Sequence, residues 1–413
     1  MGNQNCIELT MPDKLIKNWT VLIYANGNNE LEPEMQQAMV KLENMAPNED
    51  MNIVMQIGRA KYGLVKILRP DIPKSEQYWS GVRRYCLGSE KSVLLQNLGE
   101  KNIADPKSLY EFLKWGIEHY PAKRYMLILS GHGFQFVGVM TDYSQKSPYI
   151  MGIPEMTRAI NMAANDTGNQ IDLLILDVCY FNFFESIYEL GKDKNHAVKN
   201  VITYIYNGPL QGLPYDKLLQ TLQKTPFSAD MQKIIRKIIT ELPFHLIAFE
   251  INHDKFERIK LLFNELALQY WRSNPVKEDT TLIHLLHSHN PLDNWYNLAQ
   301  KTLTDLLSTV ICTRKAFKEN QIPVTVANQT TSDTALISRY YRLGFAQNNY
   351  WTYLLSNKTY DINPLVQLRQ ELRPLKLTPQ EVYTYISVMN PGMTQDRKEK
   401  MAAELFRYKK WKT

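Results

Sequence analysis

The sequence predicts an α/β fold of three layers, with a mainly parallel sheet between two layers of helices and a mostly helical region after it. Apolar strands alternate with amphipathic helices from Trp19 to Tyr206, which is the pattern of βαβ units with right-handed crossovers. The runs at 124–130 and 171–177 are almost continuously apolar, as is typical of strands buried on both faces. From about Lys277 onward, helical periodicity predominates.

The N-terminal part is expected to begin with a strand, a turn and a helix. The strand Trp19–Asn26 is rich in β-forming residues and ends in the polar turn Gly27–Asn29. The next helix, Leu31–Leu42, carries apolar residues at spacings of three and four. Further strand-like segments follow, the last of them an edge ribbon: Met51–Gly58, Tyr62–Leu68 and Trp79–Leu87. Asp105 as N-cap and Pro106 in the first turn then start another helix.

The central elements continue this alternation before it gives way to helices. After the strand 124–130, the polar segment Thr141–Tyr149 is expected to be an exposed, mobile loop. The elements predicted after it are a helix around Ile153–Ala164, strands at 171–177 and Val198–Tyr206, helices at Asp216–Lys224 and Ser228–Leu242, the strand Phe244–Glu250 and the helix Lys255–Trp271. The final helix, in Asp396–Thr413, is basic, and we interpret its charge as a solvated surface.

The composition is that of an ordinary globular protein. Hydrophobic residues make up 44% and charged residues 22% of the 413 residues, enough for a large core in about two or three domains. A net charge of +6 is small for this length and gives no reason to expect a nucleic-acid or membrane partner. The four cysteines include no CxxC pair, which argues against a disulfide framework or a zinc cluster and favours a reducing compartment or a free functional thiol. Cys6, Cys86 and Cys312 are expected to be packing residues or free thiols.

Two reactive side chains directly follow the two most apolar strands. His132 stands in the sequence SGHG after the strand 124–130, and Cys179 follows the strand 171–177. Parallel sheets collect functional groups at the carboxyl ends of their strands, so we expect a thiol and an imidazole on one rim. The amides of Gly133 and Cys179 are candidates for binding an oxyanion. Taken singly, Cys179 would be a buried structural thiol and His132 a hydrogen-bonded core histidine.

Longer motifs resemble the clostripain family of cysteine peptidases, relatives of the caspases, gingipains and legumains. The resemblance runs from Trp19 to about Leu268 and rests on the stretches WTVLIYANGNNELEPEM, WSGVRRYCLG, LGEKNIADPKSLYEFLKWGIEHYPAKRYMLILSGHG, DLLILDVCYFNFFESIYEL and GPLQGLPYD. It implies a caspase-like sheet, a catalytic dyad of His132 and Cys179, protein or peptide substrates, and cleavage after a basic residue. It also implies that Asp177 contributes to the pocket for that Arg or Lys.

The residues themselves support the basic preference only in part. A fixed carboxylate at the strand mouth, Asp177, would pair with an Arg or Lys side chain. The alternative is that Asp177 caps the following helix. Family members commonly carry glutamates where this chain has Thr203–Asn207, and Gln211 replaces a frequent aspartate. The pocket is therefore expected to be less acidic, and its preference for Arg or Lys weaker or altered.

Self-activation is a further implication of the resemblance, since family members are often cut in the loop between the histidine and the cysteine. Lys146-Ser147 is the one basic site in that loop. Pro148, directly after it, would hinder the fit of the backbone into an active site. Cleavage between Lys146 and Ser147 is therefore a hypothesis.

The remaining patterns indicate no cofactor. His284, His287 and His289 form HxxHxH, but no acidic partner at a metalloenzyme spacing accompanies them, and a packed loop is the favoured interpretation. Calcium matters for some relatives, yet no motif of this chain suggests it. The alternative to a peptidase is a catalytically silent caspase-fold scaffold or a regulatory binding protein, and a weaker one is a thiol transferase using the same pair of side chains.

The expected organisation is an N-terminal extension at 1–18, a caspase-like peptidase domain at 19–270 and a mostly helical C-terminal region at 271–413, with the oligomeric state left open. The N-terminus has no basic segment before an apolar core, which predicts a cytoplasmic protein. A secreted chain trimmed of its export signal would look the same. No apolar run approaches the roughly 18 residues of a membrane span.

Overall fold

The computed structural model of the chain describes residues 16–45, 49–88, 92–273, 291–292, 294–314, 323–327, 333–356 and 372–407. The expectations for Cys6, His284, His287 and His289 lie outside the described residues, and so does the end of the basic C-terminal helix. Within the described ranges, no helix is both long enough and apolar enough to cross a membrane.

Strands and helices alternate along most of the described chain, as the hydrophobic pattern predicts. The strands are β1 Lys17–Gly27, β2 Met51–Arg59, β3 Gly81–Leu87, β4 Val93–Gly99, β5 Ala122–Ser130, β6 Gly133–Phe134, β7 Gly138–Asp142, β8 Tyr149–Gly152, β9 Leu173–Asp177, β10 Asn200–Tyr204, β11 Leu246–Glu250, β12 Val310–Thr313 and β13 Leu375–Lys376. The α-helices are α1 Glu32–Glu43, α2 Tyr62–Leu68, α3 Pro106–His119, α4 Ile153–Thr167, α5 Phe184–Gly191, α6 Tyr215–Gln223, α7 Met231–Glu241, α8 His253–Ser273, α9 Tyr296–Leu307, α10 Thr334–Tyr340, α11 Tyr350–Ser356, α12 Pro379–Met389 and α13 Gln395–Arg407.

The main sheet of the described chain has nine strands in the order β12-β11-β10-β9-β5-β1-β2-β3-β4. The central strands, from β10 across to β2, are parallel. Antiparallel strands extend both edges, β3 and β4 on one side and β11 and β12 on the other. The carboxyl ends of the central strands therefore share one edge, where open α/β sheets bind their ligands.

Helices cover both faces of this sheet because successive side chains of a strand point in opposite directions. In β1, Leu22 and Tyr24 belong to the core formed with α3, α4, α5 and α8. Val21 and Ile23 belong to the core formed with α1, α6 and α7. All of these side chains are fully buried. The α/β fold of three layers with a mainly parallel sheet is confirmed.

A second, smaller sheet joins the segment after His132 to the C-terminal region. Its strands lie in the order β13-β8-β7-β6. Strand β6 begins directly after His132, and β13 pairs with β8 through Leu375 and Ile150. Strand β12 likewise extends the main sheet. Residues beyond 270 thus contribute strands to both sheets.

Helix α2 and strand β3 differ from the sequence-based expectation. Tyr62–Leu68 forms a helix rather than a strand, and its buried residues Leu64, Val65 and Leu68 have helical spacing. An apolar run this short fits either period, so periodicity alone does not separate them. The predicted edge ribbon contains β3, which is not at the edge because β4 pairs with it.

The segment expected to be an exposed loop between His132 and Cys179 is partly buried. Thr141 and Asp142 belong to β7 and are inaccessible to solvent, so only the tip of the segment is exposed. Asp142 accepts hydrogen bonds from the Asn28 side chain and the Ile103 amide. Buried polar groups are tolerated when they are hydrogen-bonded, and a polar composition therefore does not by itself predict exposure.

The cysteines also differ in part from expectation. Cys86 is disulfide-bonded, so it is neither a free thiol nor simply a packing residue. Cys179 and Cys312 are free. Because disulfides are typical of oxidising compartments, the reducing compartment expected from the scattered cysteines is not supported.

Candidate active site

His132 and Cys179 lie at the same edge of the main sheet because β5 and β9 are parallel neighbours. Their last paired residues are Ser130 and Asp177, and the Gly131 amide donates a hydrogen bond to the Asp177 carbonyl oxygen at 3.3 Å. His132 and Cys179 therefore leave the sheet at the same level. Both line one cavity of about 40 Å³.

Gly133 brings the backbone after the histidine into contact with the cysteine. A Cβ atom at this position would overlap the Cys179 carbonyl oxygen and would lie 3.2 Å from the Cys179 amide nitrogen. Only glycine fits so close an approach. The two residues predicted to bind an oxyanion, Gly133 and Cys179, are thus adjacent through their backbones.

The Cys179 thiol is half-buried and is presented by a sharp turn. Tyr180 has a φ of 56°, a left-handed conformation that is uncommon outside glycine, and its amide donates to the Tyr206 carbonyl oxygen at 2.7 Å. Burial raises the pKa of the thiol, the Gly208 amide lowers it by hydrogen bonding, and the charge of Asp177 raises it again. The net effect is a raised pKa, so the thiol form is favoured at rest.

His132 is almost fully buried and contacts a carboxylate that the sequence analysis did not identify. Its Nε2 atom lies 3.0 Å from Oε1 of Glu30, in the turn that follows β1. Burial alone would raise the pKa of Glu30, but the charge of His132 holds it below its ordinary value. The only sequence signal for Glu30 is that an acidic residue follows a strand closely. That signal points to His132 only once β1 is known to lie beside β5.

Asp177 is buried and surrounded by hydrogen-bond donors. It accepts from the hydroxyl groups of Tyr204 at 2.6 Å and Ser130 at 3.2 Å, from the Leu213 amide at 3.2 Å, and from the Tyr215 hydroxyl. Burial raises its pKa, and the tyrosine hydrogen bonds offset this only in part. These contacts make Asp177 an anchor for the segments that follow β10.

The alternative role for Asp177, as a helix cap, does not match its contacts. Helix α5 begins only at Phe184, and no side chain caps its N-terminus by a hydrogen bond. The residues to which Asp177 is bonded precede or follow that helix in the chain and do not belong to it.

Helix α12 of the C-terminal region covers the histidine. The ring of Tyr385 packs edge-on against the His132 ring, with 5.2 Å between the centroids, and Met389 from the same helix lines the cavity. Tyr385 is buried, and its pKa is raised by burial and by its neighbours Tyr143, Glu30 and Cys179. No sequence signal linked α12 to this site, because the connection exists only in three dimensions.

The predicted processing site lies between two strands of the smaller sheet. Lys146 is exposed and Ser147 half-buried, both between β7 and β8. Neither is among the described residues that line the cavity. Pro148 is buried, and its carbonyl oxygen accepts a hydrogen bond from the Leu377 amide at 3.0 Å. The C-terminal region therefore holds the chain directly after this site.

No metal site is evident in the described part of the chain. Among the described residues, no three His, Cys, Asp or Glu side chains are arranged so that they could hold a metal ion. Glu30 and His132 form a contact pair rather than part of a larger ligand set. The arrangement is one of a thiol, an imidazole and neighbouring amides, the groups that acyl transfer uses.

Solved structures of cysteine proteases share this fold. The X-ray structure of a secreted C11 cysteine protease from Bacteroides thetaiotaomicron, "iotapain", has a TM-score of 0.55 at 14% identity and covers 83% of this chain and 100% of its own. A secreted C11 protease of that organism in complex with an irreversible peptide inhibitor gives the same values. An inactive zymogen C11 protease from Parabacteroides distasonis has a TM-score of 0.53 at 13% identity and covers 82% of this chain and 100% of its own.

At these low identities, the similarity to solved structures shows the fold alone, and no curated protein sequence matches the chain. The family evidence comes from the sequence. The sequence model of the clostripain family, Peptidase_C11, matches residues 23–340, well over half of the chain and including both His132 and Cys179. The chain belongs to the clostripain family of cysteine peptidases.

Proposed function

We propose that the chain is a cysteine endopeptidase in which Cys179 is the nucleophile and His132 is the general base and acid. The observation that carries the proposal is their position, after neighbouring parallel strands and in the wall of one cavity. Membership of a cysteine-peptidase family supports the same assignment. A thiol beside an imidazole is suited to forming and hydrolysing an acyl-enzyme.

Proton transfer accompanies the attack because burial raises the pKa of the Cys179 thiol. His132 accepts the thiol proton as Sγ bonds to the scissile carbonyl carbon, and then gives it to the leaving amine. Glu30 contacts Nε2 of His132, which leaves Nδ1 to exchange the proton with the thiol. Water then attacks the thioester, with His132 as base, and regenerates the thiol.

The oxyanion of each tetrahedral intermediate is assigned to the amides of Gly133 and Cys179. This assignment is supported by the close contact between the backbones of Gly133 and Cys179. Amides that are already positioned stabilise developing charge without reorganising, which typically accounts for about 3 to 4 kcal/mol of barrier per donor.

Cleavage after Arg or Lys and self-cleavage between Lys146 and Ser147 stay predictions from the family resemblance. Peptide substrates are supported by the relative of similar fold that is bound to a peptide inhibitor. A latent precursor is supported by the relative described as an inactive zymogen, and by the position of α12 over His132.

The test is cleavage of a mixed peptide library by the intact chain, with cleavage sites identified by mass spectrometry. We expect Cys179→Ala to lower the rate by at least about a thousandfold, because the nucleophile is lost. Cys312→Ala is the matched control, since Cys312 is also free and half-buried and burial also raises its pKa. It should cleave like the unchanged chain.

Equal cleavage by the Cys179→Ala variant would contradict the proposal. An intact chain that cleaves no peptide, and whose Cys179 is not alkylated by iodoacetamide, would favour the catalytically silent scaffold instead. Calcium is added in one arm and omitted in another, so that any dependence on the ion appears as a difference in rate.

A further inference from the structure

A second cavity lies beside the carboxyl end of β2, apart from the candidate active site. Its volume is about 520 Å³, and small-molecule sites typically measure roughly 300–1,000 Å³. The start of α1 lies between the two cavities, since Leu31 lines the cavity of His132 and Cys179, and Glu32, the next residue, lines this one. The second cavity is therefore large enough for a ligand of its own.

A buried arginine lines this cavity with part of its donors unused. Arg59 is the last residue of β2 and is 1% exposed. Its Nε atom donates to Oε1 of Glu32 at 2.6 Å, and Nη2 lies 2.5 Å from the same oxygen. Nη1 has no hydrogen-bond partner among the described residues. Glu32 thus takes one edge of the guanidinium group, and the edge formed by Nη1 and Nη2 is left without an acceptor.

Two aromatic rings cover the faces of this guanidinium group. The ring centroids of Tyr78 and Trp79 lie 4.7 and 4.8 Å from Cζ of Arg59. Such contacts stabilise the positive charge, but they supply no acceptor in the plane of the N–H groups. A buried donor without an acceptor costs free energy, which a ligand oxygen in that plane would recover.

The charges in the cavity wall favour an anion. Arg59 and Lys41 are cations, and Glu32 is the one carboxylate among the described residues that line the cavity. Glu32 is already paired with Arg59, so it does not compete for the remaining edge. A guanidinium edge with two N–H groups matches the two oxygens of a carboxylate.

The rest of the wall suits the apolar body of a ligand. Its apolar side chains come from α1, α2 and the segment that follows α2, and they are Pro33, Val40, Tyr62, Val65, Ile72 and Pro73. The segment 69–80, between α2 and β3, contains no helix or strand, and Tyr78 belongs to it. Loops adjust to a ligand more readily than strands, so this part of the wall is able to admit a carboxylate to the buried edge of Arg59.

We propose that the cavity between α1 and α2 binds a ligand that carries a carboxylate on an apolar body, with the Nη1 and Nη2 edge of Arg59 paired with the carboxylate. Free organic acids and the carboxyl termini of peptides share this chemistry. The site is separate from the proposed catalytic residues and does not depend on the peptidase function.

Isothermal titration calorimetry of the full chain with 3-phenylpropionate tests the site, and 3-phenylpropionamide is the neutral probe of the same shape. We expect the acid to bind at least about tenfold more tightly than the amide, because only the acid pairs with a guanidinium group. Equal affinities, or no heat of binding at about 10 mM acid, would overturn the proposal.

A cavity-filling variant locates the binding. Val40→Trp places a large ring in the cavity wall at a position that is 44% exposed, so the fold should be retained. We expect it to weaken binding of the acid by about tenfold or more, because the ring occupies the space of the ligand. Val388→Trp, at a position 45% exposed on α12, is the matched control and should bind like the unchanged chain. Full affinity in Val40→Trp would show that the acid binds elsewhere, which contradicts the proposal.

The variant Arg59→Lys tests the assigned donor. It keeps the positive charge but lacks the forked edge, so the affinity for the acid should fall by about tenfold. Unchanged affinity would rule out the role given to Arg59. If this variant does not fold, Val40→Trp still decides whether the cavity is the site.

A peptide arm distinguishes the two sources of the carboxylate. A short peptide ending in phenylalanine is titrated into the Cys179→Ala chain, once with a free carboxyl terminus and once amidated, so that cleavage does not interfere. Tighter binding of the free peptide than of its amide would identify peptide carboxyl termini as ligands of the site. Binding of 3-phenylpropionate but not of the free peptide would identify free organic acids.

Discussion

Glu30 connects the turn after β1 to the imidazole that is proposed to move the proton. Its carboxylate is mostly buried and lies 3.0 Å from Nε2 of His132. The charge of His132 holds the pKa of Glu30 below its ordinary value in spite of burial, so the carboxylate is ionised over the pH range of catalysis. A fixed anion there orients the ring and stabilises the imidazolium that forms during attack.

Replacing Glu30 by glutamine should therefore affect turnover more than binding. We expect Glu30→Gln to lower kcat by about 10- to 100-fold with little change in KM, because the imidazolium loses its counter-charge while the peptide contacts remain. The acid limb of the pH–rate profile should also shift. Steady-state kinetics across pH 5–9 measure both effects.

Glu34→Gln is the matched control for this experiment. Glu34 is buried on the neighbouring helix and pairs with Arg69 rather than with His132. The Glu34→Gln variant should keep the kcat and the pH–rate profile of the unchanged chain. An unchanged kcat and profile in Glu30→Gln would mean that Glu30 has only a structural role.

At the scale of elements, α12 is the part of the C-terminal region that closes the site. Tyr385 packs on the rings of His132 and Phe134, and Met389 reaches the cavity wall. The small volume of the cavity depends in part on this helix. Shortening Tyr385, the side chain of α12 that packs on His132, is therefore expected to open access to Cys179.

The variant Tyr385→Ala should react faster with iodoacetamide at Cys179, by about three- to tenfold, because a buried aromatic ring that covers the site is removed. Mass spectrometry of the alkylated cysteine as a function of time measures the rate. Val388→Ala, an exposed position on the same helix, is the control and should react like the unchanged chain. An identical rate in Tyr385→Ala would show that α12 does not limit access.

For the whole molecule, buried glutamates of α4 and α5 hold the C-terminal region against the helical layer. Glu185 accepts from the Ala327 amide and the Tyr340 hydroxyl. Glu155 is bonded to Arg342, and Glu189 to the Gly344 amide. The region beyond residue 270 is thereby joined to the main core through buried carboxyl groups.

Glu185 makes this attachment sensitive to pH. Burial raises its pKa to about 7 from an ordinary value of 4.5. As pH rises from 4.5 toward 7, the unfolded chain releases this proton and the folded chain retains it, so the folded state loses stability over that interval. The full effect is on the order of 3 kcal/mol, since each unit of pKa corresponds to about 1.4 kcal/mol.

The variant Glu185→Gln keeps an acceptor oxygen and removes the charge. The melting temperature of this variant minus that of the unchanged chain should increase from pH 4.5 to pH 8, because only the unchanged chain loses stability over that range. Thermal unfolding at several pH values measures this difference. Glu265→Gln, an exposed position on α8, should show no such trend. A difference in melting temperature that does not vary with pH would contradict the assigned ionisation.

Much of the fold was predictable because hydrophobic periodicity is a local property of the chain. The apolar runs before His132 and Cys179 are buried parallel strands, and their neighbouring positions in the sheet follow from that class of fold. The short segment Tyr62–Leu68 was mispredicted because seven residues fit both periods. The polar composition around Thr141 and Asp142 predicts an exposed loop, because their buried hydrogen-bond partners are far away in sequence and leave no local signal.

The sequence by itself determined the α/β class, the family and the two residues that leave the sheet at its functional edge, since each of these is written in contiguous stretches. Only the tertiary structure decided what surrounds them. Glu30 reaches His132 because β1 lies beside β5, and Tyr385 reaches it because the C-terminal region returns over the site. The state of Asp177 was likewise decided by Tyr204 and Tyr215, which hydrogen bonding across the fold brings to one carboxylate.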